Sequence, residues 1–223
     1  MTPQILKLIA EKGSTAINTF NRTKTAFENF KSALQKLEYE LRETVLQIDP
    51  RITIRYDDKG KLEVHFQLAT DVLVFLMHTH VFNFDNSHSI HHSSYAKADS
   101  TLTQCGMICI YNFLTDSFKF DRLSDKGILI ARIFINKDGH YFVDGNKQLG
   151  FLFNNFETDE ITETNIVAII NAALTYALES DVLVPEFQNM HITNVQDLSS
   201  RTGVGFESAK GFGFQLKKKD GVV

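Results

Sequence analysis

Asp49-Pro50 divides this chain into two periodicities, and that break constrains the fold more than any other feature. Before it the apolar residues step by three and four; after it they alternate. Thr2-Pro3 is a helix start: a threonine hydroxyl can accept from an early amide, and proline at the first helical position lacks a donor that would have no partner anyway. Apolar residues then recur at Ile5, Ile9, Ala16 and Phe20, and again at Phe27, Phe30, Leu34, Leu37, Leu41, Val45 and Ile48. The residue before a proline is pushed out of the α region, so the helix must stop at Asp49.

Gly13-Ser14 leaves two forms open, a helical hairpin or one helix over residues 3–48, which would be about 70 Å long at about 1.5 Å per residue. A helix of that length outreaches a compact domain. Its stripe of Phe27, Phe30, Leu34, Leu37, Leu41 and Val45 is therefore expected to meet a second copy in a homo-oligomer, with packing on the chain's own sheet as the competing use. Residues 1–49 are read as a helical oligomerisation segment and residues 50–223 as an α+β domain.

From Arg51 to about Phe156 the period is two. RITIRY places Ile52, Ile54 and Tyr56 on one face, DDKGK is a turn, and KLEVHFQL alternates Leu62, Val64, Phe66 and Leu68 with Glu63, His65 and Gln67. GMICIYNFL, FKFDRL, GILIARIFI, HYFVD and QLGFLF read as further strands, separated by TDS, SDKG, NKDG and DGNK at hairpin spacing. A large, mostly antiparallel meander follows, with GILIARIFI as a strand covered on both faces. ETDEITETNIVAIINAALTYALES returns to helical spacing; Ile166, Ile170, Leu174 and Ala177 form a stripe, widened by Val167, Ile169 and Ala173, that should lie on the sheet. A short helix from Asn194 to near Gly203, glycine-aromatic strands and a solvated KKKD end complete the reading.

The composition, 43% hydrophobic and 22% charged over 223 residues, is that of an ordinary globular protein, with nineteen Phe and no Trp. A net charge of −4 gives no general attraction to nucleic acid or to an anionic membrane surface. No apolar run approaches the roughly 20 residues needed to cross a bilayer, and the start of the chain lacks a secretory signal pattern, so a cytoplasmic location is expected. Cys105 and Cys109, four apart in one strand, suit buried reduced thiols rather than a disulfide or a zinc site. KGFGF at residues 210–214 has the local pattern of an RNA-binding strand, but Gln215 and Lys217 stand where aliphatic and aromatic residues are required. TGVGFESAKGFG lacks the order of a phosphate-cradling loop.

The chemical signal is concentrated in residues 72–92, where an apolar run leads into five of the eight histidines. If residues 72–84 and 87–95 form a hairpin closed at Asp85-Asn86, His78, His80 and His91 share one sheet face with Ser93, while His88 and His92 take the other. Those four residues are the candidate ligand-binding group. The expected function is a non-catalytic ligand- or protein-binding module acting as a homo-oligomer. The alternative is a metal-dependent hydrolase, a phosphoesterase or nuclease, in which His78, His80, His91 and Asp85 hold zinc or manganese, with Asp99 as another carboxylate able to complete or orient the site.

Overall fold

The computed structural model describes residues 2–123, 125–146, 148–182 and 216–218. Its first element, α1 (Pro3–Ile48), is a single helix of 46 residues. With no proline between Pro3 and Pro50, only Gly13 could interrupt it, and one glycine lowers helix stability without ending a helix. Thr2 is extended and makes no side-chain cap; Pro3 at the first turn supplies the start signal. Asp49 is extended before Pro50, where the helix stops.

Six strands follow: β1 (Ile54–Asp58), β2 (Glu63–Leu68), β3 (Asp71–Met77), β4 (Cys105–Leu114), β5 (Ile128–Asn136) and β6 (Tyr141–Gly145). They lie in chain order in one sheet and every neighbour is antiparallel, so the α+β class and the meander stand. Between β3 and β4 the chain makes an excursion through a 3-10 turn (Ser89–His92), the short helix α2 (Ser94–Ala98) and a second 3-10 turn (Ser100–Thr103). After β4 comes α3 (Thr115–Lys119), and after β6 come α4 (Gln148–Leu152) and α5 (Glu163–Leu178). A small ribbon pairs β7 (Ser180–Val182) with β8 (Leu216–Lys218). The reading of FKFDRL and QLGFLF as strands is corrected: α3 ends within the first and α4 covers most of the second. The helix expected from Asn194, and KGFGF, lie outside the described residues.

Strand alternation gives the sheet two unlike faces. On the first, Val64, Phe66, Leu73, Phe75, Met77, Ile108, Ile110, Ile133, Ile135 and Val143 line up across the register and are buried beneath α1 and α5. Phe27, Phe30 and Leu34 of α1 are fully buried in this core, and Leu37, Leu41 and Val45 pack against it partly buried. The stripe assigned to subunit contact is thus used within the chain: the sheet supplies the apolar surface it needs. At its N-terminal end the contact is closer. Thr15, Thr19 and Thr23 are buried, and Thr23 sits on Gly106 of β4, where only a glycine leaves room for the helix.

The second face is covered at one end by a small cluster of Ile90, Cys105, Met107, Cys109, Phe134, Phe142 and Phe156, with Phe82, Phe84 and Tyr95 laid over it from the excursion. GILIARIFI is accordingly covered on both faces only from Ile133 onward; Leu129 and Arg132 are exposed. Among the described residues no helix is long and apolar enough to cross a membrane.

Candidate functional site

The expected histidine hairpin does not form. β3 ends at Met77, and its pairing edge is taken by β4 in a register running from Asp71–Leu114 to Met77–Ile108. Ten residues of nearly unbroken apolar strand make a better partner than SHSIHHSSY, whose side chains are suited to bonding their own backbone. His88 Nδ1 accepts from the Ile90 amide at 3.2 Å, Ser93 Oγ accepts from the Ala96 amide at 3.0 Å, and Asp99 Oδ1 accepts from the Thr101 amide at 2.9 Å, each capping a short helical turn. The chain leaves the sheet after His78 and returns through a bridge between Phe82 and Cys105.

The proposed ligands are consequently dispersed. His78 does lie on the second face, half-buried, with Nε2 3.6 Å from Cys109 Sγ and its ring edge-on to Phe82. His80 is exposed. His91 Nε2 lies 3.3 Å from the Phe84 carbonyl oxygen, and Ser93 also donates to the Ile90 carbonyl at 3.1 Å. Asp85 accepts from the Ser87 amide and hydroxyl at 2.9 and 2.8 Å, which lowers its carboxyl below the usual range. Asp99 binds Lys137 at 2.7 Å, and that bond with those from Thr101 brings its carboxyl down to about 2. Among the described residues no group of three or more histidines, cysteines or carboxylates could hold a metal ion, so the convergence of His78, His80, His91 and Asp85 is withdrawn.

Cys109 and His78 resemble a nucleophile and base in spacing but not in electrostatics. Burial pushes the Cys109 thiol up, outweighing the hydrogen bond to Tyr111 and the field of Arg132, and Cys105 is pushed up further by burial alone. A thiol held protonated is a weak nucleophile.

A concavity with several polar side chains lies at the other end of the second face. A cleft of about 610 Å³ is floored by β1 to β3 and walled by α3. Register sets the floor: Arg55 lies beside Gln67 and Val72 in one row, and Asp57 beside His65 and Val74 in the next. His65 falls on the polar side of its strand, as alternation requires, yet is only 8% exposed because Phe118 of α3 packs on its ring at 4.7 Å. Its Nε2 is 2.5 Å from Glu63 Oε1, a contact that orients the ring. Asp57 receives Lys59 at 2.7 Å, which lowers its carboxyl. Lys119 and Asp121 complete the far wall. His65 is visible in the sequence only as a polar residue of an alternating strand; what singles it out is the burial imposed by α3, whose residues divide in the sequence between the TDS turn and the start of FKFDRL. The chain matches no family model, no curated protein and no solved structure.

Proposed function

We propose that this chain is a non-catalytic binding module that takes a small polar ligand in the cleft between β1, β2, β3 and α3. The observation that supports the reading is the buried His65, fixed between Glu63 and Phe118, on the floor of a preformed concavity of about 610 Å³. Binding sites of this size combine apolar walls with a few oriented polar groups. Here Phe118 and Val72 supply the apolar surface, and Gln67, Arg55 and Lys119 supply hydrogen-bond donors. Arg55, at the rim, offers a planar fork suited to a carboxylate or phosphate, while Asp57 and Asp121 restrict which cationic or hydroxyl groups can accompany it.

The test is titration of the full chain with citrate, glutamate, aspartate and inorganic phosphate, followed by amide and histidine-ring NMR shifts. The expected result is saturable movement of His65 and Gln67 signals with at least one probe, and affinity reduced roughly tenfold by Arg55→Ala, the loss of about one charge-assisted hydrogen bond. If none of the four probes moves cleft resonances, or if Arg55→Ala binds as wild type does, the reading is wrong.

A further inference from the structure

The side of α1 turned away from the sheet carries large apolar residues. Leu6, Ile17, Tyr39 and Leu46 are 51%, 62%, 75% and 43% exposed. Their separations of 11, 22 and 7 residues are close to whole numbers of helical turns, so they form one stripe, about 130° around the helix from the arc that seats on the sheet. Ala10 and Gly13 lie on the same stripe. A Cβ on Gly13 would meet nothing within 4 Å, so no contact within the described chain requires a glycine in this helix interior, where glycine is unfavourable.

We propose that this stripe pairs α1 antiparallel with α1 of a second copy, about a two-fold axis near residue 26. In that register residue i faces residue 52 − i. Leu6 meets Leu46, Tyr39 covers Gly13, and Ile17 lies against Gln35. Lys24 meets Glu28 twice, once on each side of the axis, as an isologous contact requires. The charges select this arrangement. Moving the register by four residues sets Glu28 on Glu28 or Lys24 on Lys24, and a parallel pair sets like on like at both positions. The contact runs from Leu6 to Leu46, about 60 Å at about 1.5 Å per residue, and uses none of the side chains that α1 buries in its own core.

The experiment is sedimentation equilibrium of the full chain at 1–50 micromolar. Wild type is expected to dimerise. Tyr39→Glu with Leu46→Glu should raise the dimer dissociation constant by roughly 100-fold or more, while circular dichroism and the melting transition stay those of a folded protein, since both side chains are exposed. Lys24→Glu and Glu28→Lys should each weaken the dimer alone. An equimolar mixture of the two should pair, because one copy then presents acidic side chains at positions 24 and 28 and the other presents basic ones at both. A monomeric wild type overturns the proposal. So does dimerisation that survives Tyr39→Glu with Leu46→Glu, or a mixture that fails to pair. None of these variants touches the cleft, so ligand titration in the same samples separates failure of this contact from failure of the binding reading.

Discussion

Replacing Gly106 with alanine tests how α1 is seated on the sheet. The new Cβ would lie 2.1 Å from Thr23 Oγ1, 2.8 Å from Thr23 Cβ and 2.9 Å from Thr23 Cγ2. Turning the threonine about χ1 can move Oγ1 and Cγ2 but not Cβ, which is fixed to the helix backbone. Carbon atoms settle at roughly 3.5–4.0 Å, so α1 must retreat by about 0.7 Å or more. It cannot do so locally, because Phe27, Phe30 and Leu34 on the same face are wholly buried and would lose contact with the sheet. Overpacking of this kind costs about 1–3 kcal/mol. Opposing it, removing glycine from a strand interior gains roughly 0.5–1 kcal/mol. Clash outweighs propensity, and Gly106→Ala should lower stability by about 1–2 kcal/mol in urea unfolding. The cycle with Thr23→Ala sharpens the test, since that change deletes two of the three close atoms: the double variant should be more stable than the sum of the singles by about 1 kcal/mol. A neutral Gly106→Ala, or strict additivity in the cycle, would refute the close contact.

Other perturbations read other parts of the molecule. Leu34→Glu should unfold the domain rather than release a folded subunit, because Leu34 is completely buried; circular dichroism distinguishes the outcomes. Ala69 joins β2 to β3 with φ of 53°, a left-handed conformation that disfavours a side chain, so Ala69→Gly should raise stability by up to about 1 kcal/mol in urea titration. Asp99 has its folded pKa depressed to about 2 from 3.8 by Lys137 and Thr101; its contribution is present above pH 3.8 and is lost as pH falls toward 2. Asp99→Asn should therefore flatten the acid limb of the stability curve measured over that window. Both thiols are pushed up by burial, so the native protein should resist a bulky thiol reagent at about pH 8 and label at both positions only in denaturant.

The sequence was most legible where one physical constraint acted alone. Pro50 ends α1 regardless of tertiary contacts, and alternation through β1 and β2 needs only one buried face. It was least legible where two local preferences competed. Phe118 and Phe120 alternate with polar residues as a strand would, but the turn after β4 is stabilised as a helix, with Ser117 bonded to Asp125 at 2.6 Å and the Phe120 amide donating to Asp116. The histidine segment failed for a related reason: serine, aspartate and histidine satisfied backbone donors locally, and the longer apolar β4 displaced it as the partner of β3. Parity still placed His78 on the second face, because the side on which a residue lies is set before a strand's partner is chosen. The oligomer stripe was misread because Phe27, Phe30 and Leu34 fit a sheet as well as a coiled coil, and only the length of the following meander decides between them.

The division between the two faces links the proposed ligand cleft to the proposed dimer. The first face is packed beneath α1 and α5 with apolar side chains and a few threonines. His65, Arg55, Asp57 and Gln67 all belong to the second face, on the side of the sheet away from α1. If two copies join through the outer side of α1, the helical layers lie at the centre and each sheet turns its second face outward. Both clefts then open to solvent and neither is shared across the two-fold axis. Ligand binding should accordingly be non-cooperative, with equal affinity in wild type and in the monomeric Tyr39→Glu with Leu46→Glu variant. An affinity that changes with dimerisation would mean that α1 transmits its pairing through the sheet, most directly by way of Lys31, which is 2.8 Å from Asp58 at the end of β1, and not that the cleft lies at the interface.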